Sequence, residues 1–390
     1  MSPDLPPPRV LAVATKSPWP PVGGGRAVMH HLFEALATAG AVVRIVALGG
    51  GDAPPEARYT VRAVGGRPRS WPAAAHHALA GRSPTLARFR SARLLEAVTG
   101  ELARFRPDLV HLEQLHLAWL MPHLPRRLPV VLREQNVESR VLERLAAVAR
   151  GPFRPLLRGE ARRIAAAEAA ACRAASLIAA ISTADAEELR ALAPDARIEV
   201  VPPAWPAVPG PHVEHLDGDP PIICTGSLDW LPNRDGARWL LDAVWPRLRA
   251  ALPGALLHLA GPGSRTLAGR IPGVVVHGVT ERALFDPRAI SVVPVRAGSG
   301  VRVRLLEAWS LGVPAVTTPI GGEGLVAADG DGALLAAEPA AFASAVASLA
   351  GAPARRAELI ARGRQRLVAH EPHRVAAGLL ELYRSLPAPA

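Results

Sequence analysis

Residues 294–325 read PVRAGSGVRVRLLEAWSLGVPAVTTPIGGEGL. An apolar, β-branched run over 290–295 leads into a turn flanked by Gly298 and Gly300, and an amphipathic segment over 303–311 follows. The spacing predicts strand, glycine turn and helix, the unit from which parallel sheets covered by helices are built. Such sheets collect their ligands at the C-terminal edge of the strands. Gly298 and Gly300 permit close backbone approach to a ligand there. Arg302 and Arg304 carry planar guanidinium groups that match phosphate oxygens. Glu307, three residues after Arg304, offers a carboxylate that can accept hydrogen bonds from a ribose diol. The competing reading is a surface helix with an i, i+3 Arg–Glu pair, worth roughly a few tenths of a kcal/mol.

Outward from this block the same alternation repeats. In the first half strands are expected at 9–15, 42–48, 109–112, 129–133, 177–181 and 198–201, with helices at 26–39 and 91–105. In the latter, Leu94, Leu95, Val98 and Leu102 recur at helical spacing. Residues 201–221, VPPAWPAVPGPHVEHLDGDPP, hold too many prolines for a helix or central strand and read as a linker. Beyond it come strands at 222–226, 255–260, 274–277, 290–295 and 315–318, and helices at 234–252, 303–311, 339–350 and 373–386. The expectation is two successive α/β domains facing a cleft: 1–202, a linker 203–220, a second domain 221–370, and a final helix 371–390 free to return to the first domain.

A second glycine run, Gly23-Gly24-Gly25, follows the first strand and opens a helix. Backbone N–H groups at such a place can approach a phosphate, although tight strand-to-helix turns also call for glycine. The spacing is not the G-x-G-x-x-G of NAD enzymes. With 390 residues, two domains are the natural division. Two cysteines, Cys172 and Cys224, lack metal-ligand spacing, and no apolar run reaches membrane-spanning length. A cytoplasmic protein is expected. The net charge is +11, and Lys16 is the sole lysine beside many arginines. That balance fits either a coding bias or a surface for anionic partners. Nucleic acid is disfavoured, because aromatic residues make up 4% and no binding motif is present.

The block Gly298-Ser299-Gly300-Val301-Arg302-Val303-Arg304-Leu305-Leu306-Glu307-Ala308, with Gly312-Val313-Pro314 and Gly322-Glu323-Gly324-Leu325, closely resembles the donor site of family-4 retaining glycosyltransferases. More specifically it resembles bacterial members of the polysaccharide and exosortase-associated sugar-transferase type. Thr225-Gly226-Ser227-Leu228-Asp229-Trp230, Gln135-Asn136-Val137-Glu138-Ser139 and the segment 182–189 match in order. The resemblance implies a GT-B fold of two Rossmann-like domains and a retaining, hexosyl-type transfer with no obligatory metal and no cofactor besides the donor, a UDP- or GDP-sugar. It implies that Glu307 holds the ribose, that Arg302 and Arg304 face the diphosphate, and that Gly23, Gly24, Gly25, Gly226, Gly298, Ser299 and Gly300 lie against the nucleotide sugar. Where relatives commonly carry a glutamate eight residues before the ribose-binding one, this chain has Ser299. His111, Glu113 and His116 follow a strand end where relatives often place a functional histidine, which makes Glu113 and His116 candidates for acceptor or sugar contact.

The acceptor is expected to be a glycan, a lipid-linked saccharide or a small molecule. Arg140, Arg144, Arg154, Arg158, Arg162 and Arg163 form a basic helical stretch, read either as a solvated face over the core or as a contact with anionic membrane. Two other functions stay open: a sugar-nucleotide-binding protein with little turnover, kept alive by Ser299, and a non-hydrolysing sugar-nucleotide epimerase.

Overall fold

The structure, a computed structural model, describes residues 6–149, 151–207, 215–268, 271–279, 284 and 286–387. Two compact units divide the chain. Met1–Pro21, Gly25–Ala204 and Pro372–Ala390 form the first; Val22–Gly24 and Trp205–Glu371 form the second. The middle of the expected linker, 208–214, lies outside the described residues.

The first unit holds β1 (Arg9–Ala14), β2 (Val42–Ala47), β3 (Thr60–Ala63), β4 (Leu109–Glu113), β5 (Val130–Glu134), β6 (Leu177–Ala180) and β7 (Ile198–Val200). They make one seven-stranded sheet in the order β3-β2-β1-β4-β5-β6-β7, and every pairing is parallel. Helices cover both faces, so the inner strands are apolar throughout, as Val10 to Ala14 in β1 show. One face packs on Leu94, Val98 and Phe105 of the helix Ala92–Phe105. Ser91 caps that helix by accepting from Leu94 N, and Arg106, at φ 47°, ends it. The other face packs on Leu32, Phe33 and Leu36, and on Val375, Leu379, Leu380 and Tyr383 of the C-terminal helix Pro372–Arg384. Each such leucine or phenylalanine contributes about 1.5–3 kcal/mol by leaving water.

The second unit holds β8 (Pro221–Thr225), β9 (Leu256–Ala260), β10 (Val274–Gly278), β11 (Ile290–Val293), β12 (Ala315–Thr317) and β13 (Leu334–Leu335). Their order is β10-β9-β8-β11-β12-β13, again parallel. The helix expected over 234–252 starts at Leu231 and carries a π-turn, Leu240–Val244, in which Trp245 N donates to Leu240 O. Pro246 explains it: a proline has no N–H to donate and would clash with the carbonyl four residues earlier, so the helix widens. The edge strands β3 and β13 do not belong to the expected set. The first is TVRA, partly exposed along its length, and the second is only Leu334–Leu335.

In each unit the strand order reverses beside the first strand, between β1 and β4 and between β8 and β11. Loops leaving neighbouring strands diverge at such a point, and the crevice they leave is where open α/β sheets bind ligands.

Candidate active site

In the second unit the loops after β8 and β11 carry the candidate residues. Gly226 leaves β8 at φ 144°, and its N–H donates to Ala260 O at 3.0 Å. A Cβ there would lie 3.5 Å from Asn233 Nδ2 and 3.9 Å from Arg304 Nε, so the Arg304 guanidinium lies beside this turn. After β11 the chain turns through Gly298 (φ 145°) and Gly300 (φ 77°). Arg302, 7% exposed, folds back and donates from Nη2 to the carbonyls of Ser299 and Gly300, the latter at 2.9 Å. The guanidinium that the sequence aligns with a phosphate thus also clamps the turn, with Ser299 buried under it. Arg296 grips Asp235 through two hydrogen bonds of 2.8 and 3.1 Å and braces the same loop from outside.

The helix Val303–Leu311 begins straight after the clamp. Leu305, Leu306, Ala308 and Trp309 face the core, and Trp309 Nε1 donates to Gly332 O at 2.8 Å. Gly312, at φ 70°, ends the helix. With that face fixed, Arg304 and Glu307 project together from the other, paired at 2.6 Å and each about one-fifth exposed. The i, i+3 Arg–Glu pair of the competing reading is therefore formed. It stands at the mouth of two glycine turns. Gly23 and Gly24 group with this unit, near Ser227 and Val303 respectively.

In the first unit a cavity of about 550 Å³ opens where β1 to β4 end, lined among others by Thr15, Lys16, Arg26, Arg67, Phe89 and Gln114. Among the described residues, three cations and no carboxylate line it. Gly25 borders it: a Cβ there would lie 3.4 Å from Lys16 Nζ and 3.7 Å from Gln135 Oε1. Gln114 sits at φ 80°, ψ 150°, a conformation almost confined to glycine. It is held there by its N–H donating to Arg133 O at 2.9 Å and by Thr15 Oγ1 donating to its side-chain oxygen at 3.1 Å. Such a conformation costs on the order of 1–3 kcal/mol and persists only where its surroundings hold it. Lys16, Arg26, Arg67 and Gln114 are absent from the candidates drawn from sequence; the only available hint was that Lys16 is the sole lysine.

Glu113 is 1% exposed. His111 Nε2 bonds one of its oxygens at 3.1 Å, and Gln135 Nε2 donates to the other at 2.7 Å. Tyr383 of the C-terminal helix bonds His111 Nδ1 at 2.6 Å. Burial alone would raise the Glu113 carboxyl, but His111, Arg133 and Gln135 outweigh it and hold it below its usual range. Glu113 is thus buried and tied to His111 and Gln135. His116 packs edge-on to Phe89 at 4.5 Å, and its Nδ1 has no hydrogen-bond partner among the described residues. Burial, together with the Arg88 and Lys16 charges, lowers the pKa of its imidazole against the opposing pull of Glu138.

Glu168 caps the helix Glu138–Val148, accepting from Glu138 N at 2.7 Å and Ser139 Oγ at 2.5 Å. Burial pushes its carboxyl up to about 7 from 4.5, although the hydrogen bonds from Ser139 and Glu138 oppose the rise. A raised carboxyl stabilises the fold fully below pH 4.5, and that contribution is lost as pH climbs through about 7. The span is worth on the order of 3 kcal/mol. Glu168→Gln is expected to flatten the loss of first-unit stability between these pH values in urea titrations; an unchanged slope would assign the loss elsewhere.

Two parallel α/β units of this topology define a two-domain Rossmann-like architecture. Residues 23–204 match the family model of the glycosyl transferase 4-like domain, and residues 219–351 match that of glycosyl transferases group 1. With both units matched, the chain belongs to the group 1 glycosyl transferases, of GT-B fold. Among solved structures, sucrose-phosphate synthase from Thermosynechococcus elongatus is similar, with a TM-score of 0.71 at 18% identity over 97% of this chain and 98% of that one. WaaG, a glycosyltransferase involved in lipopolysaccharide biosynthesis, gives 0.66 at 16% over 96% and 100%. HepE of Anabaena, in complex with UDP-glucose, gives 0.65 at 13% over 97% and 100%. At such identities the likeness is one of fold. No curated protein sequence matches the chain significantly.

Proposed function

We propose that the chain transfers a hexosyl group from a nucleoside-diphosphate sugar, UDP- or GDP-linked, to an acceptor with retention of anomeric configuration. The observation that carries this reading is the Arg304–Glu307 pair beside Gly226 and the Gly298–Gly300 turn. A carboxylate accepts the two ribose hydroxyls, and the released guanidinium turns to the diphosphate. The bond from the anomeric carbon to the diphosphate oxygen breaks, the acceptor oxygen bonds that carbon from the same face, and the acceptor proton passes to the departing diphosphate. The protein's task is to stabilise charge developing on the leaving group, for which preorganised cations and backbone N–H groups serve. Glu307→Ala is expected to weaken nucleoside-diphosphate binding by about 1–3 kcal/mol, read by calorimetry; unaltered affinity would remove the ribose from this position.

The acceptor belongs, on this reading, in the first-unit cavity. Lys16, Arg26 and Arg67 without a lining carboxylate favour one that carries negative charge, such as a phosphorylated saccharide or a lipid-linked one. A panel of nucleotide sugars screened by thermal shift finds the donor, and release of nucleoside diphosphate on adding acceptor tests the reaction. Binding without release would favour the low-turnover binding protein that Ser299 leaves open. Conversion of donor without acceptor would indicate an epimerase.

A further inference from the structure

The basic helical stretch divides in two. Arg140 is paired with Glu188 at 3.1 Å and with Glu143 at 3.2 Å, and Arg144 reaches Glu188 at 3.9 Å. Arg154, Arg158 and Arg162 are exposed instead, on the helix Phe153–Ala174. Its first turns carry Phe153 and Leu156, 66% and 64% exposed, and burial begins only at Ala161. An aromatic and a leucine left in water between arginines is not a solvated face.

A second segment of the same unit repeats the chemistry. From Arg67 to Arg93 the sequence contains six arginines and no acidic residue. Within it the helix Trp71–Leu79 exposes Trp71 by 55% and Leu79 by 93%. Arg88 stacks over the Trp71 ring at 4.2 Å. The structure joins the two segments. Glu160, one turn past Leu156 and so roughly 6 Å along the helix, accepts from Ser83 Oγ at 2.6 Å and Thr85 N at 3.0 Å. That contact occupies the acidic side chain next to the patch, and Arg163 lies 3.5 Å from it as well.

We propose that these two segments form one docking surface for an anionic lipid bilayer: arginines meet the headgroups, and Trp71, Leu79, Phe153 and Leu156 enter the interfacial layer. Charge complementarity selects the occupant. Arginines alone would suit any polyanion, and unpaired bases could stack on the two aromatic rings, but nucleic acid offers no apolar layer to Leu79 and Leu156, whereas the headgroup boundary takes all of these side chains. The surface is made without a spanning element: among the described residues no helix is long and apolar enough to cross a membrane. Arg67 and Phe89 belong to the same segment and line the first-unit cavity, so a lipid-linked acceptor would have its polar end within reach of its membrane. The docking itself does not rest on the transfer reading.

The test is co-sedimentation of the full chain with phosphatidylcholine vesicles that lack or contain about one-third phosphatidylglycerol. Binding is expected only with the anionic lipid and is expected to weaken as salt shortens the screening length. Arg154→Gln, Arg158→Gln and Arg162→Gln together should lower partitioning roughly tenfold or more. Phe153→Ser with Leu156→Ser should lower it at low and high salt alike. All five side chains are exposed, so the melting temperature should stay at the wild-type value. Equal binding to both vesicle types, binding untouched by either variant, or no binding at all overturns the proposal. So does a two-copy species by light scattering that dissociates on Phe153→Ser, because the face would then be covered by a second chain.

Discussion

Arg304→Ala is expected to lower turnover by about 100- to 1000-fold, the usual effect of removing one donor aimed at developing negative charge, while the melting temperature moves by only a few degrees. The side chain stands on the outward face of Val303–Leu311, whose hold on the core comes from Leu305, Leu306 and Trp309. Its ion pair with Glu307 is partly solvated and spans a single helical turn, so it contributes little to folding. Lysine is not an equivalent replacement, because a point charge loses the fork that meets two phosphate oxygens. Arg304→Lys should recover only part of the loss. Two outcomes contradict this placement: turnover preserved in the alanine variant, or a thermally collapsed variant, which would make Arg304 a structural residue. Arg302→Ala should behave differently. Its guanidinium satisfies two carbonyls of the turn that it closes, so stability and activity should fall together.

Gly261→Ala is expected to destabilise the second unit by about 3–5 kcal/mol, from overpacking combined with a left-handed backbone. Gly261 sits at φ 115°, and a Cβ there would lie 1.9 Å from Gly226 O and 2.8 Å from Gly226 C. These are backbone atoms at the end of β8 and cannot swing aside as a side chain would. The loop displaced is the one beside Arg304, so nucleotide affinity should fall with stability. Gly351→Ala serves as the control, because nothing lies within 4 Å of its added Cβ. Equal melting of the Gly261 variant and wild type would show that the β8 and β9 loops do not meet as described.

The fold was legible because parallel strands buried on both faces read as continuous apolar runs, as in β1 and β11. Glycines then marked where those runs end. Edge strands lack that signature: β3 is half exposed and β13 is two residues long. At the site, residue type was legible and direction was not. Arg302 and Arg304 look alike in sequence, yet one precedes the helix and turns back onto the loop while the other rides the helix outward. Glu113 and His116 stand near a strand end, but β4 is buried on both faces, and alternation puts Glu113 on the same face as His111, which it meets together with Gln135. The cavity cations were invisible for a different reason. Lys16, Arg26 and Arg67 come from separate segments, and only the sheet order brings those loop ends together.

The most direct measurement is the position of a nucleoside diphosphate bound to the chain, determined by crystallography. The ribose hydroxyls should lie within hydrogen-bonding distance of the Glu307 carboxylate, and the diphosphate should rest against the Gly298–Gly300 turn and Arg304. A nucleotide seated elsewhere, or one bound while Glu307 and Arg304 keep only each other, would contradict the assignment of this site.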